Sequence, residues 1–185
     1  MSGKSKDLNL KDKLIQALSS TIRVISEEPT LKDNLDKKKL KKFDNFNLEN
    51  LNSKSDFIKA RAEADSSALK IKFSNKRIYK KNIPVNTSCR SLYSIAEKIR
   101  YETLGGKMLA GIEKNLKENY NQTINFKKKD QFKSKEDVPV SEAFELYMLK
   151  KFNNIKLNSV TNTMLGFWEK DFDNAINKHI DFLKE

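Results

Sequence analysis

Few side chains in this 185-residue chain are equipped for chemistry, and most of them stand alone. The single histidine, His179, lies between Ile176 and Ile180. No second His or Cys accompanies it to build a metal set or a nucleophile–base pair, so it reads as a boundary or surface residue. The single cysteine, Cys89, falls near an expected helix N-terminus, a position that lowers a thiol pKa, but it has no His partner and reads as a small core or capping residue. Gly106-Lys107 is followed by Met108, and Tyr101 stands where a P-loop needs its first glycine. Asp65-Ser66-Ser67 likewise misses the Asp-x-Ser-x-Ser metal pattern. Two carboxylates are left. Glu97 and Glu102 could work as an acid/base pair if both faced an open cleft. Arg100, three residues from Glu97, favours a structural ion pair across one helical turn, with Glu102 on a neighbouring part of the surface.

The element that carries these residues is residues 92–116. Apolar side chains at 92, 95, 96, 99 and 103–104 share one helical face, and 108, 109, 112 and 116 resume that face beyond Gly105-Gly106. The spacing predicts one helix bent at the glycine pair, as a kink or a cap. Upstream, Leu14, Ile15, Leu18, Ile22 and Ile25 predict a first helix, with Asp7 or Asn9 to cap it and Glu27-Glu28-Pro29 to end it. Residues 30–56 have only Phe43, Phe46, Leu48 and Leu51 as anchors and hold at most a short strand or hairpin. A second helix runs from near Asp56 to about Phe73, with Arg61 and Asp65 one turn apart. Pro84 separates it from the central helix, which Asn86, Thr87 or Ser88 can cap.

Beyond Leu116 the Asn, Lys and Gln content predicts a surface loop up to Asp137. Pro139-Val140-Ser141-Glu142 opens another helix that presents Phe144, Tyr147, Met148 and Phe152. A last helix runs from about Ser159 to the end, with Met164, Trp168, Phe172, Ile176, Ile180 and Leu183 as its core stripe. The expectation is a mainly α protein: a single bundle-like domain of about five helices over residues 9–185, with a short β-hairpin at most between the first two and a flexible stretch at 1–8.

Composition bounds the partners. Lys and Arg number 37 against 25 Asp and Glu, a formal charge of +12 that invites a nucleic-acid reading. Arginine occurs only at 23, 61, 77, 90 and 100, and the Lys, Asn and Ile bias matches a genome rich in A and T. The densest clusters, Lys37-Lys38-Lys39 with Lys41-Lys42 and Lys127-Lys128-Lys129, lack interleaved aromatics and arginine forks. A solvated surface is the favoured reading, and a basic helical nucleic-acid-binding module is the alternative. One cysteine allows no internal disulfide. No signal peptide or membrane span is evident, since residues 14–22 are short and amphipathic, so a cytoplasmic location is expected.

Arg61-Ala62-Glu63-Ala64-Asp65, Ala68-Leu69, Ala96-Glu97-Lys98-Ile99-Arg100-Tyr101-Glu102, Gly105, Met108, Gly111 and Asn115-Leu116 together resemble the N-terminal region of CobT, a subunit family of the aerobic, ATP-dependent cobaltochelatase. Glu142-Ala143 with Leu146, and Trp168, resemble that family's two following helices. Departures occur at Ala62, where the family has Gly, at Phe73-Ser74-Asn75, where a His-rich turn is common, at Leu149-Lys150, and at Glu169. The resemblance implies cobalamin (vitamin B12) biosynthesis: insertion of Co²⁺ into hydrogenobyrinic acid a,c-diamide by a complex that uses ATP and Mg²⁺. In it this chain would bind no cofactor and hold no catalytic or metal residue, because one His cannot supply a metal-inserting centre. The implied partners are an AAA+ ATPase subunit and the large chelatase subunit, and the implied role is assembly or regulation. It also implies a longer parent protein, continuing through an acidic linker into a von Willebrand factor A-like domain. Arg61, Asp65, Glu97, Arg100, Glu102 and Asn115 are the candidates for a partner interface or for helix pairing.

Overall fold

A computed structural model describes residues 3–27, 53–127 and 132–184. Eight α-helices and one 3₁₀ turn make up the regular structure of these residues: α1 (Gly3–Ser26), α2 (Lys54–Phe73), α3 (Lys76–Asn82), α4 (Thr87–Met108), α5 (Ala110–Asn125), the turn Lys135–Asp137, α6 (Val140–Phe152), α7 (Ser159–Gly166) and α8 (Glu169–Lys184). The mainly α, bundle-like expectation holds; the count of about five does not.

Helix α2 is the central element. A capping box starts it, the Asp56 N–H donating to Ser53 Oγ (3.2 Å) and the Ser53 N–H to Asp56 Oδ2 (3.0 Å). Its buried positions, Ile58, Ala60, Ala62, Ala64, Asp65, Ala68 and Leu69, lie on more than one face. Alanines there let neighbours approach from several sides, and α1, α4 and α5 all pack on it. Helices α6, α7 and α8 complete the core on the far side of α4, around Tyr147, Met164 and Leu165.

The predicted bent helix is two helices. The break falls at Leu109, whose extended backbone (φ −135°, ψ 105°) is at once the end of α4 and the start of α5. Its N–H closes α4 on the Gly105 carbonyl (3.0 Å), while its own carbonyl accepts from Ile112 and Glu113 (2.9 and 3.2 Å). Met108 and Leu109, expected on the apolar face, are exposed. The glycine pair sits inside the last turn of α4, and each member faces a different neighbour. A Cβ on Gly105 would stand 2.2 Å from Leu69 Cδ2 of α2, whereas one on Gly106 would meet Glu113 Cβ of α5 at 3.4 Å. Gly105 is therefore where α4 closes on α2.

Other differences have equally local causes. Helix α1 starts at Gly3, so Asp7 and Asn9 lie within it and do not cap it. Helix α5 continues past Leu116 to Asn125 because Ile112, Leu116, Tyr120 and Ile124 recur every four residues and are buried, a stripe concealed in the sequence by Asn, Lys and Gln. The expected loop begins only after it. The expected last helix is split at Phe167-Trp168, where the Trp168 N–H turns back to the Leu165 carbonyl (2.9 Å) and its carbonyl accepts from Asp171 and Phe172. Helix α3 was not expected at all. Of the three candidate caps for α4, Asn86 serves, accepting from the Cys89 N–H (3.1 Å). The hairpin placed in 30–56 falls mostly on residues 28–52, which lie outside the described residues; 53–56 begin α2, and no strand occurs among the described residues.

Gly105→Ala is expected to lower stability by about 1–3 kcal/mol, the usual range for overpacking. The same change should cost less in a Leu69→Ala background, and Gly106→Ala should stay within about 1 kcal/mol of the unsubstituted protein. Urea denaturation followed by far-UV circular dichroism checks all three.

Candidate functional site: a three-helix junction

The six candidate residues divide into an interior group and an outer group. Asp65, on the buried face of α2, is 1% exposed and accepts from Asn115 Nδ2 of α5 at 2.7 Å. Burial pushes its carboxyl above the ordinary aspartate value, opposed first by the Asn115 hydrogen bond and then by the charge of Arg61. Glu102 of α4 is 2% exposed. Its Oε1 accepts from Ser66 Oγ of α2 and its Oε2 from the Tyr120 hydroxyl of α5, both at 2.5 Å. One carboxyl thus joins three helices. Burial raises its pKa, with Lys98 the main opposing charge. Lys98 stands 5.2 Å from the centre of the Tyr120 ring and 3.4 Å from Glu145 Oε1, so the polar seam continues to α6. Burial and Glu102 together push the Tyr120 hydroxyl far above its usual range, and burial takes that of Tyr101 to about 12.

The outer group clamps the end of α2. Arg100 donates to Glu97 through Nε (2.7 Å) and Nη2 (2.9 Å), and Nη2 also reaches the Phe73 carbonyl (2.7 Å). The Ser74 hydroxyl donates to Glu97 Oε1 at 2.7 Å. The Arg100 bond holds the Glu97 carboxyl below its ordinary value. The last carbonyls of a helix have no partner within it, and here an arginine on the next long helix supplies one. Arg61 is exposed and adds only its charge near Asp65.

The structure therefore separates what the sequence set side by side. Glu102 is an interior hinge-pin, not a surface residue neighbouring the Glu97–Arg100 pair. A cleft of about 240 Å³ between the α4–α5 turn and the end of α6 is lined by Glu102, Thr103, Lys107, Glu113 and Asn153 among others, but not by Glu97. The two carboxylates do not form an acid/base pair. Ser66, Ser74, Lys98 and Tyr120 were missed as partners; the four-residue repeat ending in Tyr120 and Ile124 was the available signal for one of them.

The remaining singled-out residues fall as follows. Cys89 is exposed in the first turn of α4, not a core residue. His179 is exposed on α8, as read. Trp168 is half-buried, donates from Nε1 to the Val138 carbonyl (3.1 Å) and stacks on Phe172. Lys127 pairs with Glu142, while Lys37, Lys38, Lys39, Lys41, Lys42, Lys128 and Lys129 lie outside the described residues. Among the described residues no three His, Cys, Asp or Glu side chains are grouped to hold a metal ion, and no helix is long and apolar enough to cross a membrane.

The chain is thus a mainly helical bundle whose candidate residues bind one another across three helices. Residues 9–185 match the family model described as "Cobalamin biosynthesis protein CobT", and the chain belongs to that family, which places it in cobalamin biosynthesis. No curated protein and no solved structure matches it.

The buried carboxyl has a pH signature. Its raised pKa means that the unfolded chain loses this proton first, near the ordinary value of 4.5, while the fold keeps it to higher pH. This group's contribution to stability therefore falls as pH rises from that value through the folded pKa. Glu102→Gln removes the penalty, so its melting temperature should equal or exceed that of the unsubstituted protein at pH 7.5, with the difference shrinking toward pH 4.5. Glu97→Gln should do the reverse, since a lowered carboxyl stabilises above 4.5 and loses that contribution as pH falls. Thermal melts across this range decide; a Glu102→Gln protein less stable at every pH would show that the carboxylate itself holds the junction.

Proposed function

We propose that this chain is a non-catalytic assembly part of the cytoplasmic ATP-dependent cobaltochelatase. In that complex a partner AAA+ subunit hydrolyses ATP with Mg²⁺, and a large subunit inserts Co²⁺ into hydrogenobyrinic acid a,c-diamide. The observation that carries the reading is where the motif side chains go. Asp65 with Asn115, and Ser66 with Glu102 and Tyr120, satisfy one another inside the bundle, and Glu97 and Arg100 satisfy the end of α2. Residues arranged this way fix the mutual placement of helices and leave no oxygen of Glu102 without a donor to accept a substrate proton. Their service to the complex is to present a rigid outer face on which Arg61 and Arg100 are the exposed members of the six candidates.

The test is co-expression with the AAA+ and large chelatase subunits. The unsubstituted chain should retain at least one of them, and a doubly reversed Arg61→Glu, Arg100→Glu chain should retain about tenfold less. Arg100→Glu also gives up the bonds to Glu97 and the Phe73 carbonyl, so an Arg100→Gln chain, which loses that clamp without reversing charge, is the control and should retain its partner. Undiminished retention by the folded, doubly reversed chain would remove these two arginines as contacts, and no retention by the unsubstituted chain would remove the assembly role.

A further inference from the structure

Between Asp65 and Glu97 the sequence has seven basic residues and no acidic one. Lys72 is matched by Glu27 at 2.5 Å. Among the described residues no ion pair reaches Lys76, Arg77, Lys80, Lys81 or Arg90. Four of these five cations lie on α3, a seven-residue helix that buries none of its residues. Two aliphatic side chains sit among them: Ile78 is 57% exposed, and Val85, in the connection to α4, is 93% exposed.

So short a helix does not persist on its own propensity, and this one is held from outside. Asn75 Oδ1 accepts from the Arg77 and Ile78 N–H groups at 3.0 and 3.1 Å. The Tyr79 ring packs on Tyr93 of α4 with centroids 5.1 Å apart. Arg90 donates from Nε to the Pro84 carbonyl (3.3 Å) and from Nη2 to the Val85 carbonyl (3.2 Å), which fixes the connection. The fold thus holds unneutralised cations and two apolar tips in fixed positions while burying almost nothing with them.

We propose that α3 and the connection after it dock an acidic polypeptide segment that carries aliphatic or aromatic side chains. Charge complementarity calls for the acid, and Ile78 and Val85 call for apolar groups alternating with it. A nucleic acid fits less well. Stacking of bases needs open aromatic faces, whereas Tyr79 and Tyr93 face each other, and five of the seven cations in this stretch are lysines, which lack the arginine fork that reads a base edge. This inference rests on the reading of the chain as a docking part and names the face and the chemistry it would use.

The experiment uses the whole chain and fluorescence anisotropy with a labelled peptide in which Glu pairs alternate with Leu; poly-glutamate and a labelled DNA duplex are the comparison probes. The peptide should bind more tightly than poly-glutamate, and more weakly as salt rises. Lys76→Glu, Lys80→Glu and Lys81→Glu combined should reduce peptide affinity about tenfold or more, and Ile78→Ser with Val85→Ser should reduce it severalfold without removing charge. Since α3 buries nothing, both variants should keep the parent circular dichroism and melting temperature. Equal peptide affinity for the parent and the charge-reversed chain overturns the proposal, as does a duplex that binds more tightly than the peptide and displaces it. The same variants are tested for retention of the AAA+ and chelatase subunits. Subunits retained equally by the parent and the charge-reversed chain would sink the α3 face and leave the assembly role standing. Peptide binding lost on charge reversal, with neither subunit retained by the parent, would sink the assembly role and leave the face.

Discussion

The structure turns on one buried carboxyl. Glu102 has both oxygens engaged, one by a serine of α2 and one by a tyrosine of α5, and it belongs to a third helix. A buried acid is tolerated only where its hydrogen-bonding capacity is met, and the geometry that meets it allows few placements of the three helices. Apolar packing alone would permit α2, α4 and α5 to slide by a residue or rotate slightly at small cost. The carboxyl, with Asp65–Asn115 alongside it, does not permit that. Specificity of arrangement, more than added stability, is what such a polar seam supplies.

Small residues make the seam possible. Ala62, Ala64 and Ala68 of α2 are almost wholly buried, and Gly105 of α4 lies against Leu69 with no room for a methyl group. Short side chains such as serine and aspartate can bridge helices only when the backbones stand close, so the alanines and the glycine set the distance and the polar residues set the register. At the end of α2 the Arg100 guanidinium, bonded to Glu97 and to the Phe73 carbonyl, closes the same helix pair about one turn away. The two fastenings leave α2 and α4 no easy rotation about each other.

Much of this was legible in the sequence, and what was not has physical reasons. Helix α2 and helix α6 were placed within a few residues because a capping residue or a proline marks their starts. The Glu97–Arg100 pair followed from three-residue spacing. The candidate junction residues were named together, but spacing along one helix says nothing of which face is covered, so Glu102 was put on the surface and Tyr120 was overlooked. The glycine pair announced a bend, but the turn at Leu109 has no proline, no left-handed glycine and no capping side chain, so nothing local says that the helix ends there instead of kinking three residues earlier. Helix α3 has no apolar stripe to detect, since its stability comes from Asn75, Tyr93 and Arg90.

The separations along the chain within the junction carry a consequence for how the protein reaches this fold. Tyr120 is 18 residues from Glu102, Ser66 is 36 away, and Asn115 is 50 from Asp65. Closing the shortest of these loops loses the least chain entropy, and the turn at Leu109 already directs α5 back along α4. The α4–α5 pair is therefore the natural nucleus, and α2 is the element that arrives later and completes the donors of Glu102. Until it does, a carboxyl destined for the interior stays hydrated, so the docking of α2 is the step at which Ser66 replaces water on Glu102.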